Sequence, residues 1–224
     1  MALRALRNSV FASVLGGLMA SMPAVGADTP AAAAVVDTAA LVKQVEAKYA
    51  DVSSLKAVFT QTARSELFGD EVSKGNLVVA RPAKMRWEFG SEKLFVTDGK
   101  KMWIYTAEDR QVIEYDDVSA TPASADSLLT SLDKLDEHFK VKVLASSEAG
   151  HELELMPLEE DGPFKKVRLK LDGDLMVSQV VITDAFDNET DIEFSGVELN
   201  AKTDDSMFTF EVPAGVDVVK ATTN

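Results

Sequence analysis

The stretch Arg81-Pro82-Ala83-Lys84-Met85-Arg86-Trp87-Glu88-Phe89 decides the architecture. Lys84, Arg86 and Glu88 alternate with Met85, Trp87 and Phe89, the period-two pattern of a strand with one charged face and one apolar face. Asp98-Gly99 follows as a hairpin signal, because a type I′ turn needs positive φ at both central residues. Lys101-Met102-Trp103-Ile104-Tyr105 then reads as a strand apolar on both faces. From Arg81 to Val112 the chain is therefore a three-strand meander. Bulky apolar side chains with no catalytic group beside them suggest a surface that holds an apolar ligand.

The pattern extends in both directions. Upstream, Leu41, Val42, Val45 and Tyr49 recur at helical spacing, with Asp37 or Thr38 as cap and an end near Ala50. Phe59-Thr60-Gln61-Thr62 reads as a strand, Gly69-Asp70 as a turn and Gly75 to Ala80 as the returning strand. Downstream, alternation stops between Asp116 and Phe139, where Leu128, Leu129, Leu132 and Leu135 line one side at helical spacing. This helical insertion interrupts the sheet. Half-wet strands resume at Lys140–Val143, Glu152–Leu155 and Lys166–Leu171, Asp172-Gly173 makes a second hairpin turn, and Met176–Ile182 and Thr190–Leu199 continue. Phe208-Thr209-Phe210-Glu211-Val212-Pro213 is expected to close a sheet of roughly ten or eleven strands, a number at which open sheets curl or close.

At 46% hydrophobic and 27% charged residues, the 224-residue chain has the composition of one globular domain. Arg4 and Arg7, the apolar run Ser9–Ala20, and Val25-Gly26-Ala27 form the three parts of a secretory signal peptide, expected to be cleaved after Ala27. Residues 28–40 read as a flexible leader and 41–220 as the domain. Cleavage removes two of 23 basic residues and none of the 37 acidic ones, so a net charge of −14 becomes −16. Such a chain is repelled by nucleic acid and by anionic lipid. It has no cysteine, so neither disulfides nor an acyl anchor after the cleavage site are available, and that site is followed by Asp28. A soluble exported monomer is expected.

Catalytic marks are sparse. His138 and His151 have no i, i+4 relation and there is no cysteine to join them, so a zinc or copper site has almost no ligands. No nucleophile elbow, phosphate loop or dinucleotide fingerprint occurs. Asp184, Asp187, Asn188, Glu189 and Asp191 are oxygen donors, but their spacing lacks a calcium-loop pattern. Neither metal nor cofactor is expected, and no enzymatic activity. What remains is apolar: Phe59, Leu77, Val79, Met85, Trp87, Phe89, Met102, Trp103 and Ile104 from the sheet, and Leu128, Leu129 and Leu132 from the insertion. Composition alone leaves these as either a filled core or a lined cavity.

A family resemblance separates the two. Phe59-Thr60-Gln61, Gly75, Arg81-Pro82 with Arg86-Trp87, Thr97-Asp98-Gly99-Lys100 with Trp103 and Tyr105, Gln111-Val112, the insertion after Thr121-Pro122, and Phe208-Thr209-Phe210 with Pro213, Gly215 and Val216-Asp217-Val218 follow in order. In that sequence they resemble the periplasmic lipoprotein carrier family, LolA. The resemblance implies a mainly β fold with α: an unclosed, strongly curved antiparallel half-barrel under an α-helical lid, enclosing a cavity for the acyl chains of lipoproteins. It implies that Arg81 holds the lid shut and that Met85 lines the cavity, where the best-known members have an aromatic residue. The implied partners are lipoproteins, an inner-membrane lipoprotein-releasing transporter and an outer-membrane lipoprotein acceptor. Alternatives are a carrier or sensor of the same fold with another lipid or lipidated cargo, a secreted hydrolase, or a structural β protein.

Overall fold

The computed structural model describes residues 37–65, 69–117, 125–159 and 164–221. The expected signal peptide, the leader as far as residue 36 and the start of the insertion at Thr121-Pro122 lie outside them. Helix α1 (Thr38–Ala50) begins three residues before the expected leader ends, because Asp37 caps it: the carboxylate accepts from the N–H of Ala39 at 3.0 Å and of Ala40 at 3.3 Å. Its buried face is Leu41, Val42, Val45 and Tyr49.

Then come β1 (Ser54–Ser65), β2 (Gly69–Ala80), β3 (Lys84–Phe89), β4 (Lys93–Asp98), β5 (Met102–Thr106) and β6 (Gln111–Tyr115). The insertion is α2 (Ala125–Thr130), a 3-10 turn at Leu132–Lys134 and α3 (Leu135–His138). The remaining strands are β7 (Phe139–Ser147), β8 (Gly150–Pro157), β9 (Phe164–Asp172), β10 (Val177–Asp184), β11 (Glu189–Leu199) and β12 (Asp217–Ala221). All twelve strands of the described residues form one sheet in the order β12-β6-β5-β4-β3-β2-β1-β11-β10-β9-β8-β7. Strand β12 is parallel to β6 and every other pair is antiparallel. The sheet ends at β12 and β7, which do not pair, so it stays unclosed.

Register turns the alternation of each strand into continuous rows on one face. One row runs Ala57, Leu77, Trp87, Phe95, Ile104, Ile113, and a second Leu55, Val79, Met85, Thr97, Met102, Tyr115. Beyond β1 the same face continues as Ile192, Val180, Leu169, Leu153, Val143. These rows join Leu41, Val45 and Tyr49 of α1 and Leu128, Leu129, Leu132 and Leu135 of the insertion in a single apolar core. The expected helical cover over one sheet face is thus present.

Three local expectations are corrected. The β4–β5 turn is displaced by one residue: Gly99 and Lys100 are its central pair, and the positive φ (+92°) at Gly99 is what a type II′ turn requires. Asp98 closes the hairpin instead, its carboxylate accepting from the N–H groups of Lys100 and Lys101, both at 2.8 Å. Gly75 lies in the middle of β2 rather than opening a strand, since β2 begins at the supposed turn residue Gly69. A Cβ at Gly75 would collide with the Glu88 carbonyl of β3 and come within 2.9 Å of the Phe59 ring, so the glycine admits that ring into the core.

The third correction concerns Phe208-Thr209-Phe210, which do not form a strand. Phe208 ends a 3-10 turn (Asp205–Phe208), and the last strand comes later, at β12. Phe208 is buried, and Phe210 packs on Trp103 and Tyr105, with ring centroids 6.4 and 6.0 Å apart. Residues 205–210 thereby cover the outer face of β3–β6, where Val96 and Val112 are wholly buried apart from the main core.

Candidate functional site

Aromatic rings floor the concave face. Phe59 is wholly buried and makes edge contacts with Trp87 at 4.8 Å and Phe89 at 5.0 Å between centroids. Phe89 in turn meets Phe95 at 5.5 Å, and Trp87 meets Phe194 of β11 at 6.3 Å. The indole N–H of Trp87 donates to the Met85 sulfur at 2.7 Å, so a methionine two residues away satisfies the buried polar atom. The floor therefore presents no buried side-chain polar atom without a partner among Phe59, Met85, Trp87 and Phe89.

The roof is fastened at separate points. Arg81, after the end of β2, extends its guanidinium to two roof elements at once: Nη1 donates to the Ala50 carbonyl at 3.3 Å, and Nη2 pairs with the Asp133 carboxylate at 2.7 Å. The first is the carboxyl end of α1, where the helix dipole favours a cation. The second lies in the 3-10 turn of the insertion. One planar fork thus ties both parts of the roof to the sheet. Glu46 of α1 accepts from the backbone N–H of Asp136 at 3.0 Å, joining α1 to α3, and burial raises its pKa. Tyr49 holds the carboxyl end of α1 to the β9–β10 connection: its hydroxyl donates to the Leu175 carbonyl at 3.2 Å and accepts from the Val177 N–H at 2.9 Å.

The expected lining residues fall into groups. Phe59, Leu77, Val79, Met85, Trp87 and Met102 are buried together on the concave face, and Phe89 and Ile104 pack against them half-buried. Leu128, Leu129 and Leu132 meet them from the roof. Trp103 does not join them. It points through the opposite face of β5 toward Phe210. Sequence reasoning missed Phe95 and Phe194 as floor residues, Phe95 lying in the apolar run Leu94-Phe95-Val96, and it placed Tyr49 on the apolar face of the opening helix without giving it a part in the site. It also missed Asp133 as the partner of Arg81, for which no local pattern exists.

Among the described residues, no group of three His, Cys, Asp or Glu side chains converges as metal ligands would. Ser146 Oγ lies 2.6 Å from His151 Nδ1 across the β7–β8 hairpin, with no third side chain orienting the imidazole among the described residues. No helix of the described residues is long and apolar enough to cross a membrane.

A half-barrel with an apolar concave face under a pinned helical roof is the architecture of a binding protein. The comparison with known proteins narrows it. Residues 50–211 match the model of the outer membrane lipoprotein carrier protein LolA, and the chain belongs to that family. It is 32% identical over 204 residues to the outer-membrane lipoprotein carrier protein of Chromobacterium violaceum, covering 90% of this chain and 95% of that one. With the protein of the same name from Dechloromonas aromatica it shares 34% identity over 170 residues, 74% of this chain and 81% of that one. In fold it is similar to an uncharacterized conserved protein from Thermus thermophilus, with a TM-score of 0.51 at 14% identity, covering 83% of this chain and all of that one.

The Tyr49 anchor gives a pH signature. Burial pushes the phenol up to about 12 from its ordinary 10, so between these values the unfolded chain has released the proton and the folded chain has not. The folded state then binds more protons, and stability falls as pH rises from about 10 to about 12, by about 2 to 3 kcal/mol in all. Tyr49→Phe should lose about 1 to 3 kcal/mol at neutral pH, because the Val177 N–H is left without a partner. In urea titrations across pH 8 to 12, the gap between wild type and variant should close as pH rises.

Proposed function

We propose that this chain is a non-catalytic periplasmic carrier. It takes the acyl chains of lipoproteins onto its concave face at an inner-membrane lipoprotein-releasing transporter and yields them to an outer-membrane lipoprotein acceptor. The observation that carries this reading is the double hold of Arg81 on Ala50 and Asp133, which closes the roof over a floor of Phe59, Met85, Trp87 and Phe89. The names of the curated relatives support the same reading. So do the expected signal peptide and the acidic charge, which suit an unanchored exported protein.

The energetics explain why the roof must move. A chain of about fifteen methylenes carries roughly 12 kcal/mol of hydrophobic free energy when fully buried. With the roof down, Phe59 and Leu132 are wholly buried, and an acyl chain enters only if the roof lifts from the floor. The Arg81 bonds therefore belong to the empty state, and they oppose cargo by stabilising the competitor.

Removing the latch should tighten retention. A charge-assisted hydrogen bond is worth about 1.5 to 3 kcal/mol, so Arg81→Leu should hold cargo about tenfold more strongly or better, load normally and deliver poorly. Arg81→Lys and Asp133→Asn should be intermediate, since each leaves part of the hold. Transfer rate from purified loaded carrier to an outer-membrane acceptor, measured beside loading efficiency, checks this. Unchanged transfer in Arg81→Leu would remove Arg81 as the latch.

Charge on the floor should abolish binding. Met85→Glu places a carboxylate among apolar groups, where ionisation is costly, and should eliminate binding of a fluorescent fatty acid. Arg86→Gln, on the outer face beside Glu88 and Met207, should bind like wild type. Near-ultraviolet circular dichroism of both variants verifies that the fold persists. Equal binding by the two would place the ligand elsewhere.

A further inference from the structure

A buried hydroxyl interrupts the apolar floor. Of the buried polar side chains among the described residues, Ser54 donates its hydroxyl to the Ala201 carbonyl at 2.6 Å, and Thr183 alternates with core-packed Ile182 and so lies on the outer face. The third is Thr97, only 3% exposed. Register sets it between Met85 of β3 and Met102 of β5, both of them core residues of the concave face. Directly opposed residues of antiparallel strands share a face, so the Thr97 side chain belongs to the floor.

A hydroxyl has one proton to give as well as lone pairs to fill. Thr97 Oγ1 accepts from the Gly99 N–H at 3.0 Å, while its own proton has no acceptor among the described residues. The turn alone does not call for a threonine, because Asp98 already braces it from the N–H groups of Lys100 and Lys101. Valine has nearly the same shape and would bring no polar atom into the row. The neighbouring donors are spent: the Trp87 indole on the Met85 sulfur and the Tyr49 phenol on the Leu175 carbonyl. Tyr115, beyond Met102 in the same row, is half-buried and its hydroxyl has no partner among the described residues, but it stands at the margin of the core. Thr97 is thus a donor kept inside an apolar face, where an unmade hydrogen bond is unfavourable and an incoming acceptor is favoured.

We propose that the Thr97 hydroxyl is a specificity-determining donor that receives the carbonyl oxygen of a fatty-acyl ester, so that the floor selects acyl chains over plain hydrocarbon. The inference rests on the carrier reading above and names the group by which the cargo is recognised. An ester carbonyl accepts and cannot donate, and it is the polar atom that an ester-linked chain brings with it into an apolar site. Val79, in the same row as Thr97, lies two residues before Arg81, so the bond sets the carbonyl at the latch end of the floor. The rows of Trp87 and Phe89, farther along β3, are left for the methylenes.

The test uses the full mature chain and two fluorescent polyenes, the methyl ester of parinaric acid and the all-hydrocarbon diphenylhexatriene. Thr97→Val should lower the ratio of ester to hydrocarbon affinity about three- to tenfold, the worth of one neutral hydrogen bond. Thr97→Ser keeps the hydroxyl and should keep the wild-type ratio. Loss of the Gly99 bond by itself would move both affinities together and leave the ratio unchanged. Infrared spectra of the ester, isotope-labelled at its carbonyl carbon, should place the stretch at lower wavenumber on wild type and Thr97→Ser than on Thr97→Val. An unchanged ratio in Thr97→Val overturns the proposal. So does a ratio that falls in Tyr115→Phe and not in Thr97→Val, which gives the donor's part to Tyr115. A wild type that binds neither polyene overturns the carrier reading and this inference with it, whereas one that binds both with the same carbonyl stretch as Thr97→Val overturns this inference alone.

Discussion

An apolar sheet face as broad as this one cannot stand open to water, and this constraint organises the molecule. Strands β1 to β11 supply the face, in rows from β6 through β3 and β1 to β7. Left uncovered, such a surface would draw in other chains. The sequence answers with α1 and the insertion, whose leucines and valines fit onto the rows. A roof fastened only by apolar contact would slide or part in many ways. Arg81, Glu46 and Tyr49 instead fix it by directed bonds at its ends.

The outer face obeys the same constraint in two styles. On β8–β11 it carries charges of alternating sign, such as Glu154 beside Arg168 and Glu152 beside Lys170, and needs no cover. On β4–β6 it carries Val96, Trp103, Tyr105 and Val112, which water would expose, and residues 205–210 close over them with Phe208 and Phe210. Lys84 pairs with Asp205 at 2.6 Å and Arg86 donates to the Met207 carbonyl at 3.2 Å, holding this segment to β3. Strand β3 thus serves both faces, its methionine and aromatic side chains inward and its cations outward.

This double use explains what could be read in advance. Lys84 to Phe89 alternates cleanly, so the face of Met85, Trp87 and Phe89 followed from period alone. Met102-Trp103-Ile104 is apolar throughout, and period cannot say which way Trp103 turns. The answer lay about a hundred residues away, in Phe208-Thr209-Phe210, whose own alternation imitates a strand. Both errors are one: the segment taken for a closing strand is the cover that Trp103 needs. Asp133 was illegible for a related reason, since an aspartate in a short helical insertion has no sequence mark that points to Arg81. The family resemblance supplied only the expectation that Arg81 holds the helical cover, and tertiary packing supplied its partners.

The chain's two tryptophans allow a direct test, because one lies on each face of the sheet. Fluorescence of Trp103→Phe, which retains Trp87 alone, should be quenched by a brominated fatty acid with saturable dependence on concentration. Trp87→Phe, which retains Trp103 behind Phe210, should be quenched little at the same occupancy. Comparable quenching of both, or quenching confined to Trp103, would contradict the claim that acyl chains lodge between the concave face and its roof.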